Sequence, residues 1–259
     1  MNIYFNLKSQ CKKQLFLSFF ILFSFIANAQ NKTQFFFAEA AIGPSFPIGK
    51  FSNKNYTGNF LSNTDGLAKT GIGINLSLGY QLKKSFGTML LFGYSQNKQD
   101  ANSFEVYLKN TYGDTINTSI KTNNWSVFKV MAGGFFVAPF SPENKFSFRA
   151  KLLGGVCKTS IPGFKYFYSI PININPIFGN FSFGEVSLPW SFCYQVNAGL
   201  KYQLTPKIYL LMDAGYFGSS TFYKYLYNPN FPAFGNLVTA EKKIHLSSLQ
   251  LMAGAGINF

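Results

Sequence analysis

The sequence is poor in charge, and poorest in acidic residues. Asp and Glu total 9 and Lys and Arg total 23 among 259 residues, so charged residues make up only 12% of the chain. An ordinary soluble domain carries roughly 25% charged residues, which keep its surface in water. Disorder is also disfavoured, because 47% of the residues are hydrophobic and disordered chains have low hydrophobicity. The composition predicts a folded chain that does not meet water over its whole surface.

Residues that carry catalytic and metal chemistry are scarce as well. The chain has one His and three Cys, too few and too scattered for a zinc cage. Glycine pairs such as Gly133-Gly134 lack the strand-to-helix context that cradles phosphate, and no acidic pair has the spacing of a glycoside hydrolase. We therefore predict a protein that is not an enzyme and that uses no metal and no cofactor.

Long apolar runs are absent except at the N-terminus, which excludes a bundle of membrane-spanning helices. Residues 15–26 form an apolar run preceded by Lys8, Lys12 and Lys13 and followed by the small-x-small triplet 27–29. This is the pattern of a secretory signal peptide. We predict that residues 1–29 are a cleaved signal peptide and that residues 30–259 form the exported protein.

The basic excess is spread singly along the chain, and Arg149 is the only arginine. A nucleic-acid reader concentrates Arg and Lys in one patch, so we predict no nucleic-acid partner. Scattered lysines at a membrane surface attract the phosphates of outer-leaflet lipopolysaccharide. A general compositional bias toward lysine explains the same excess.

Strict alternation of apolar and polar residues dominates the remaining chain. In residues 71–82 the apolar side chains fall on every second position, and residues 194–204 repeat the pattern. A period of two indicates a β-strand with one apolar and one polar face. These segments reach the roughly 9–11 residues that a tilted strand needs to cross a bilayer.

Eight such segments can be found, and their connections alternate between short and long. They are residues 35–43, 71–82, 86–97, 125–138, 146–157, 194–204, 207–217 and 244–259. The pattern predicts an all-β fold: an eight-stranded antiparallel up-and-down transmembrane β-barrel with short periplasmic turns and long outer loops. A lipocalin-like soluble barrel lacks the regular long–short alternation. Ten strands remain an alternative if a long loop contains a hairpin.

Three segments resemble a known family. The export signal ending at Ala29, the first strand continuing into residues 43–49, and the terminal residues 254–259 resemble the small outer-membrane β-barrel proteins of Bacteroidetes-type bacteria, which include the PorT-like group. The resemblance implies outer-membrane residence, an eight-stranded barrel and insertion by the barrel-assembly machinery, which reads a terminal aromatic residue such as Phe259. It implies no activity and no catalytic residues.

The polar face of the predicted strands is assigned to the lumen. An eight-stranded barrel is just wide enough for side chains to fill, so charges inside it must be paired. Two acids face four bases, which predicts that Glu39 and Asp213 each bridge more than one cation. A structural plug is favoured over an ion path or a bound anion. The predicted lumen charges are Glu39, Lys129, Arg149, Lys151, Lys201 and Asp213, with Asn75, Gln81, Gln195, Asn197 and Gln203 beside them.

Aromatic residues are expected on the lipid face at both membrane interfaces. We place Tyr80, Phe86, Phe146, Tyr202 and Phe259 near the short turns, and Tyr94, Trp125, Trp190, Phe192 and Tyr216 near the outer rim.

Two pairs of residues suggest chemistry at the outer end. Cys157 and Cys193 fall on adjacent strands, where they form either a disulfide or two reduced thiols. His245 and Ser247 share one face, and their spacing resembles outer-membrane lipid A deacylases. Glu241 is the nearby acid for such a dyad. Alternatively, these are ordinary polar residues at the rim of the barrel with no catalytic role.

The expected working surface is the set of long loops. Residues 166–189 carry more aromatic side chains than a solvated loop exposes, which predicts contact with a protein partner there or, alternatively, a hairpin that extends the barrel strands. The residues singled out for contact are Phe167, Tyr168, Phe178, Phe181 and Phe183. The predicted function is a non-enzymatic structural or interaction module, with a secretion-accessory role, a narrow channel and a lipid A deacylase-like esterase as alternatives.

Overall fold

The computed structural model describes residues 35–54, 66–103, 105–106, 117–141, 145–170, 177–227 and 238–259. The predicted signal peptide lies outside the described residues. These residues contain twelve strands and one short 3-10 helix, with a few helical residues at 101–103 and 105–106. The elements are β1 Phe35–Pro47, η1 Gly49–Phe51, β2 Ala68–Lys83, β3 Phe86–Gln99, β4 Asn117–Thr122, β5 Asn124–Pro139, β6 Phe146–Ile161, β7 Phe164–Ile170, β8 Ile177–Phe183, β9 Val186–Ser187, β10 Ser191–Gln203, β11 Ile208–Tyr227 and β12 Val238–Asn258.

Eight of these strands close into a barrel. Neighbours pair antiparallel in the order β1, β2, β3, β5, β6, β10, β11 and β12, and β12 pairs back onto β1. Each of the eight predicted segments is one barrel strand, so the predicted fold class is confirmed. Closure leaves no free edge among the barrel strands, which is the condition for a sheet to stand in lipid. The ten-stranded alternative is wrong.

The alternation of side chains sorts the barrel into two surfaces. Along β2, Asn75 and Ser77 are buried inside, whereas Ile74 and Leu76 face outward and are 45% and 55% exposed. The outward set on all eight strands is a continuous apolar belt, which only lipid can cover. It includes Phe36, Ile42, Leu78, Leu90, Phe92, Phe128, Phe148, Leu152, Val156, Val196, Leu200, Leu210, Met212, Leu249 and Leu251.

The two ends of the barrel differ as the sequence predicts. At one end the connections are short, and the two-residue turn Lys84-Ser85 joins β2 to β3. At this end the Phe259 N–H donates to the Phe36 carbonyl at 2.8 Å, which adds a hydrogen bond to the ladder between β1 and β12. Aromatic pairs ring it, including Phe36–Tyr80 and Phe146–Tyr202. In the described part of the chain, no helix is long and apolar enough to cross a membrane.

Strand lengths show that the opposite, long-loop end projects beyond the bilayer. β11 and β12 have 20 and 21 residues and pair along their whole length, about twice what a bilayer crossing requires. The surplus forms a two-stranded ribbon above the membrane belt.

The long loops also build a second, three-stranded sheet in the order β4-β7-β8. The predicted hairpin between the fifth and sixth barrel segments is present as β7 and β8. It extends the barrel wall, because β4 pairs with β7 in the same register as β5 pairs with β6, and the Asn123 N–H donates to the Gly163 carbonyl at 2.8 Å between the two ladders. The pairing of β7 with β8 likewise continues the register of β6 with β9. Two loops therefore share one sheet at the long-loop end.

Candidate functional site

A network of buried ion pairs crosses the lumen between opposite walls of the barrel. Glu39 on β1 accepts a hydrogen bond from Arg149 at 2.8 Å and one from Lys151 at 3.3 Å. Asp213 on β11 pairs with the same two cations, Lys151 at 2.8 Å and the Nε of Arg149 at 3.4 Å. The hydroxyl of Tyr209 donates to the second oxygen of Glu39 at 2.9 Å. Each acid thus contacts two cations, and the network ties β1, β6 and β11 together.

The strand register explains why these side chains meet. Arg149 and Lys151 are two residues apart on β6, so both point inward, and they lie opposite Gly199 and Asn197 on β10. Gly199 is in turn opposite Asp213. Since Gly199 has no side chain, the carboxylate of Asp213 occupies the space beside it: a Cβ on Gly199 would come within 2.4 Å of Asp213 Oδ1.

Lys129 forms a separate layer and does not join this network. Its ammonium donates to Gln195 Oε1 at 2.6 Å and to Gln250 Oε1 at 3.1 Å, and the Phe217 ring lies 5.0 Å away. Among the described residues no carboxylate contacts it, although the side chain is only 1% exposed. Gly93 makes room, because a Cβ there would come within 2.3 Å of Lys129 Cε.

Lys201 lies at the short-turn side of the lumen, where its ammonium stands 3.8 Å from the centre of the Tyr209 ring. No ion pair joins it to the network within the described residues. Asn75, Gln81, Gln195 and Asn197 are buried inside, as predicted. Gln203 is a correction: β10 ends there, and its amide donates to the Thr205 carbonyl in the exposed turn instead of entering the lumen.

An apolar cap closes the long-loop end of the lumen. Phe51 of η1 turns inward and packs edge-on against Trp125, with ring centres 5.4 Å apart, and both are buried. The Trp125 indole donates to the Gly66 carbonyl at 2.8 Å, which fastens the loop between β1 and β2 to β5. The expected lipid-facing position of Trp125 is therefore wrong. It shares the inward phase of Lys129, four residues along the same strand.

An ion cluster at the rim holds this cap in place. Asp100, just after β3, pairs with Lys69 at 2.8 Å and Lys54 at 3.6 Å, and its backbone N–H donates to Leu67. Burial alone would raise the pKa of Asp100, but hydrogen bonds from Lys69 and Ser103 and the Lys69 charge outweigh it, so the pKa lies below its ordinary value. Leu67 has a φ of 50°, a strained conformation for a non-glycine residue.

Cys157 and Cys193 are both buried in the lumen and both are free thiols. The register sets Cys157 opposite Ser191 and Cys193 opposite Gly155, so the cysteines are diagonal neighbours rather than a directly opposed pair. The Cys157 sulfur lies 3.2 Å from Ser219 Oγ. Of the two alternatives in the sequence, the structure contains the reduced thiols. The two thiols interact with each other, and Cys157 also contacts the hydroxyls of Ser191 and Ser219.

In the structure the Ser247 hydroxyl is directed at a backbone carbonyl and not at His245. The Ser247 hydroxyl donates its proton to the Ile48 carbonyl at 2.8 Å, and a hydroxyl has one proton to give. His245 is set opposite Ser220 by the register, and Glu241 is exposed.

The residues proposed for partner contact lie on β7 and β8 of the second sheet. Phe167 is 44% exposed. The side chains of Tyr168, Phe178, Phe181 and Phe183 lie outside the described part of the structure. Phe167 is therefore the residue of this group whose exposure the structure describes.

Sequence reasoning missed two polar residues that complete the lumen, Tyr209 and Gln250. Both share the inward phase of their strands, with Asp213 and Ser248 respectively. The alternation of inward and outward positions was enough to assign both residues to the lumen. Gln250 in particular is a polar residue in an otherwise apolar stretch of β12. Their hydrogen-bond partners required the register, which the sequence pattern does not give.

No protein-family model matches the chain, and no curated protein matches it. Among solved structures, the outer membrane protein OprG from Pseudomonas aeruginosa aligns with 88% of this chain and 97% of its own, at 13% identity and a TM-score of 0.51. Ail, the attachment invasion locus protein of Yersinia pestis, aligns with 87% of this chain and 97% of its own, at 15% identity and a TM-score of 0.38. The likeness to OprG supports the same fold: this chain is a small eight-stranded transmembrane β-barrel. Membership of the PorT-like group stays a prediction.

Proposed function

We propose that the protein is a non-enzymatic outer-membrane barrel whose lumen is a structural plug and whose long loops bind a partner outside the cell. Support for the outer-membrane location comes from the lipid-facing belt and the export signal of the sequence, since closed barrels of this kind stand in that membrane. The barrel-assembly machinery and the outer-membrane lipid are the partners that this location requires.

The observation that carries the proposal is the filling of the lumen. The ion pairs between Glu39, Arg149, Lys151 and Asp213 occupy the barrel toward the short-turn end, and Phe51 and Trp125 close it above. A solute would have to break ion pairs that are buried on every side, which costs several kcal/mol. The long-loop end is then the surface left for interaction.

The sheet β4-β7-β8 is the best candidate for that surface. It combines strands from two different loops, so its shape is fixed by backbone pairing rather than by a single flexible segment. It also exposes an aromatic side chain, Phe167, and aromatic residues dominate binding hot spots. An accessory role in secretion is one form of this proposal and rests on the sequence resemblance alone.

Site-specific photo-crosslinking in living cells tests the proposal. A photoreactive residue at position 167 is expected to give a discrete protein adduct, because that side chain faces the exterior. The matched control places the same residue at Leu152, which is 65% exposed but faces lipid, and is expected to give no such adduct. An identical adduct pattern at both positions, or no protein adduct from position 167, contradicts the interaction role.

The competing functions predict different results. A narrow channel would conduct through the purified barrel without any partner. An esterase would release fatty acid from a lipid A substrate, and that release would stop in a Ser247→Ala variant. Neither result is expected, because the lumen is filled and the Ser247 hydroxyl is bonded to Ile48.

A further inference from the structure

A cluster of basic side chains lies on the outer, lipid-facing side of the barrel where β12 rises out of the membrane belt. On β12 the even-numbered residues from Ile244 to Met252 are buried in the lumen, and the odd-numbered ones face outward. His245 and Lys243 therefore share the outward face with Leu249, which belongs to the apolar belt and is 47% exposed.

η1 adds a third basic residue to this face. The Ile48 N–H donates to the Ser247 carbonyl at 3.0 Å, and Ser247 donates back to Ile48. These two bonds continue the β1–β12 ladder beyond Pro47. Because the strands run antiparallel, Lys50 comes alongside His245, and the charges of Lys50 and Lys243 both act on its imidazole.

The height of the cluster matches a lipid headgroup. His245 is four residues beyond Leu249, so it stands roughly 13 Å further along the strand and, with the usual barrel tilt, about 10 Å further along the membrane normal. Phe222 lies opposite Lys243 in the register and is 54% exposed on the same face. Exposed aromatic rings at this level are typical of the membrane–water interface.

Basic side chains outnumber acidic ones on the described part of this face. Of the described residues on the outward face of β12, Glu241 is the acid, and the register sets it opposite Lys224 on β11 rather than beside His245. Lys50, Lys243 and His245 thus leave a net positive patch at the edge of the acyl belt. A ligand for this patch must carry negative charge and must at the same time reach an apolar surface.

We propose that Lys50, Lys243 and His245 form a binding site for the phosphorylated headgroup of an outer-leaflet glycolipid. The headgroup phosphate lies against the two ammonium groups, and its acyl chains lie along the belt below, over Phe46 and Leu249. A free phosphate satisfies only the charge. The proposal rests on the proposed outer-membrane location, but its test does not depend on the protein partner of the loops.

The test uses the full mature barrel folded in zwitterionic detergent micelles and a fluorescent diphosphorylated glycolipid as the probe. The double variant Lys50→Gln/Lys243→Gln is compared with Lys83→Gln/Lys84→Gln, which removes the same charge at the short-turn end. Each lysine near a charged lipid surface contributes about 1 kcal/mol. We therefore expect roughly tenfold or greater weakening in the rim variant and less than twofold in the control.

Several results would overturn the proposal. Equal weakening in both double variants would show general attraction to a basic protein, and unchanged affinity in the rim variant would show that the cluster is not the site. Complete displacement of the glycolipid by millimolar inorganic phosphate would show a free-anion site instead. Heat-modifiable migration of every variant confirms that each barrel is folded, so a failure here is distinct from a failure of the location or of the loop function.

Protonation of His245 supplies a second readout. The charged groups around it are Lys50 from η1, Lys243 and Glu241 from β12, and Lys224 from β11. Burial and the charges of Lys243 and Lys50 hold the pKa of the His245 imidazole below its ordinary value. The contribution of protonated His245 to glycolipid affinity is therefore expected in acid and should be lost as the pH rises through that lowered pKa. The phosphates of the probe titrate in the same range, so the readout is the ratio of the affinities of the unmodified protein and His245→Gln. That ratio should exceed one in acid and approach one as the imidazole loses its proton, and a ratio that does not change with pH would exclude His245 from the site.

Discussion

At the scale of single residues, Glu39 is the acid on which the lumen depends most. It accepts hydrogen bonds from Arg149, Lys151 and Tyr209 while almost fully buried. Removing one partner from a buried ion pair leaves the other charge uncompensated, which costs about 3–5 kcal/mol. We expect Glu39→Gln to lower the free energy of unfolding by that amount, measured by urea unfolding in lipid vesicles. Glu185→Gln, at an exposed position, serves as the control, and equal stability of the two variants would contradict the network.

Replacing each of the two buried lumen lysines, Lys151 and Lys129, by methionine is expected to change stability by different amounts. Lys151→Met removes the cation shared by Glu39 and Asp213 and should destabilise the barrel by about 3–5 kcal/mol. Lys129→Met removes a buried cation that no carboxylate contacts in the described structure. The substitution removes the cost of burying that charge, and the loss is limited to the hydrogen bonds that Lys129 donates to the side-chain carbonyls of Gln195 and Gln250. We expect no loss of stability there. Comparable destabilisation of both variants in the same urea titration would refute this distinction.

The sequence predicted the lumen residues through their phase, but not which of them meet. Period two on β6 assigns Arg149 and Lys151 to the inside without any structure. The contact between Lys151 and Asp213 depends on the stagger between strands, which leaves no mark in composition or periodicity. For the same reason Lys129 could not be separated from the network in advance.

At the scale of elements, the cap of η1 and the start of β5 is the part that seals the barrel. Trp125→Ala removes its largest side chain and should destabilise the fold by about 3–5 kcal/mol. It should also admit reagents to Cys157 and Cys193, which are fully buried in the structure. We expect maleimide to label both thiols in the folded variant but not in the unmodified protein. Trp190→Ala, at a residue 53% exposed on the outside, should leave labelling unchanged, and equal labelling of both variants would disprove the cap.

The ion cluster at the rim gives the same cap a pH dependence. The pKa of Asp100 is lowered in the folded protein, so its stabilisation is complete above the unfolded value of about 3.9 and is lost as the pH falls through the lower folded pKa. We expect the stability difference between the unmodified protein and Asp100→Asn to be under about 1 kcal/mol near neutral pH, because its lysine partners are partly exposed. The difference should vanish in acid. A stability difference between the two proteins that grows as the pH falls would contradict this prediction.

The strands and the 3-10 helix of the long connections were harder to predict from the sequence than the barrel strands. The eight barrel strands could be predicted because each buries one face and exposes the other to lipid, which imposes alternation. Strands β4, β7 and β8 continue the barrel wall in register, and the sequence offered the β7–β8 hairpin as such an extension. It did not identify β4, because Asn117–Thr122 contains one apolar residue and so shows no alternation. The inward turn of Phe51 was also unforeseen, since η1 lies in a connection without periodicity.

At the scale of the whole molecule, the protein is a transmembrane barrel whose lumen holds buried polar and charged side chains. The outer belt meets lipid, the inner surface is consumed by ion pairs and an apolar cap, and the long-loop end is the part available to other molecules. Eight strands enclose a lumen that side chains can fill completely. Under the proposed function, the charge network is structural and stabilises the barrel rather than guiding a solute.

Planar-bilayer conductance of the refolded mature protein tests this claim most directly. A heat-modifiable, correctly folded barrel is expected to insert without reproducible unit currents, and Lys201→Ala and Asp213→Ala are expected to remain silent as long as they fold. Steady unit currents from the unmodified protein, with amplitudes that change in those two variants, would show an open path through the lumen and contradict the account.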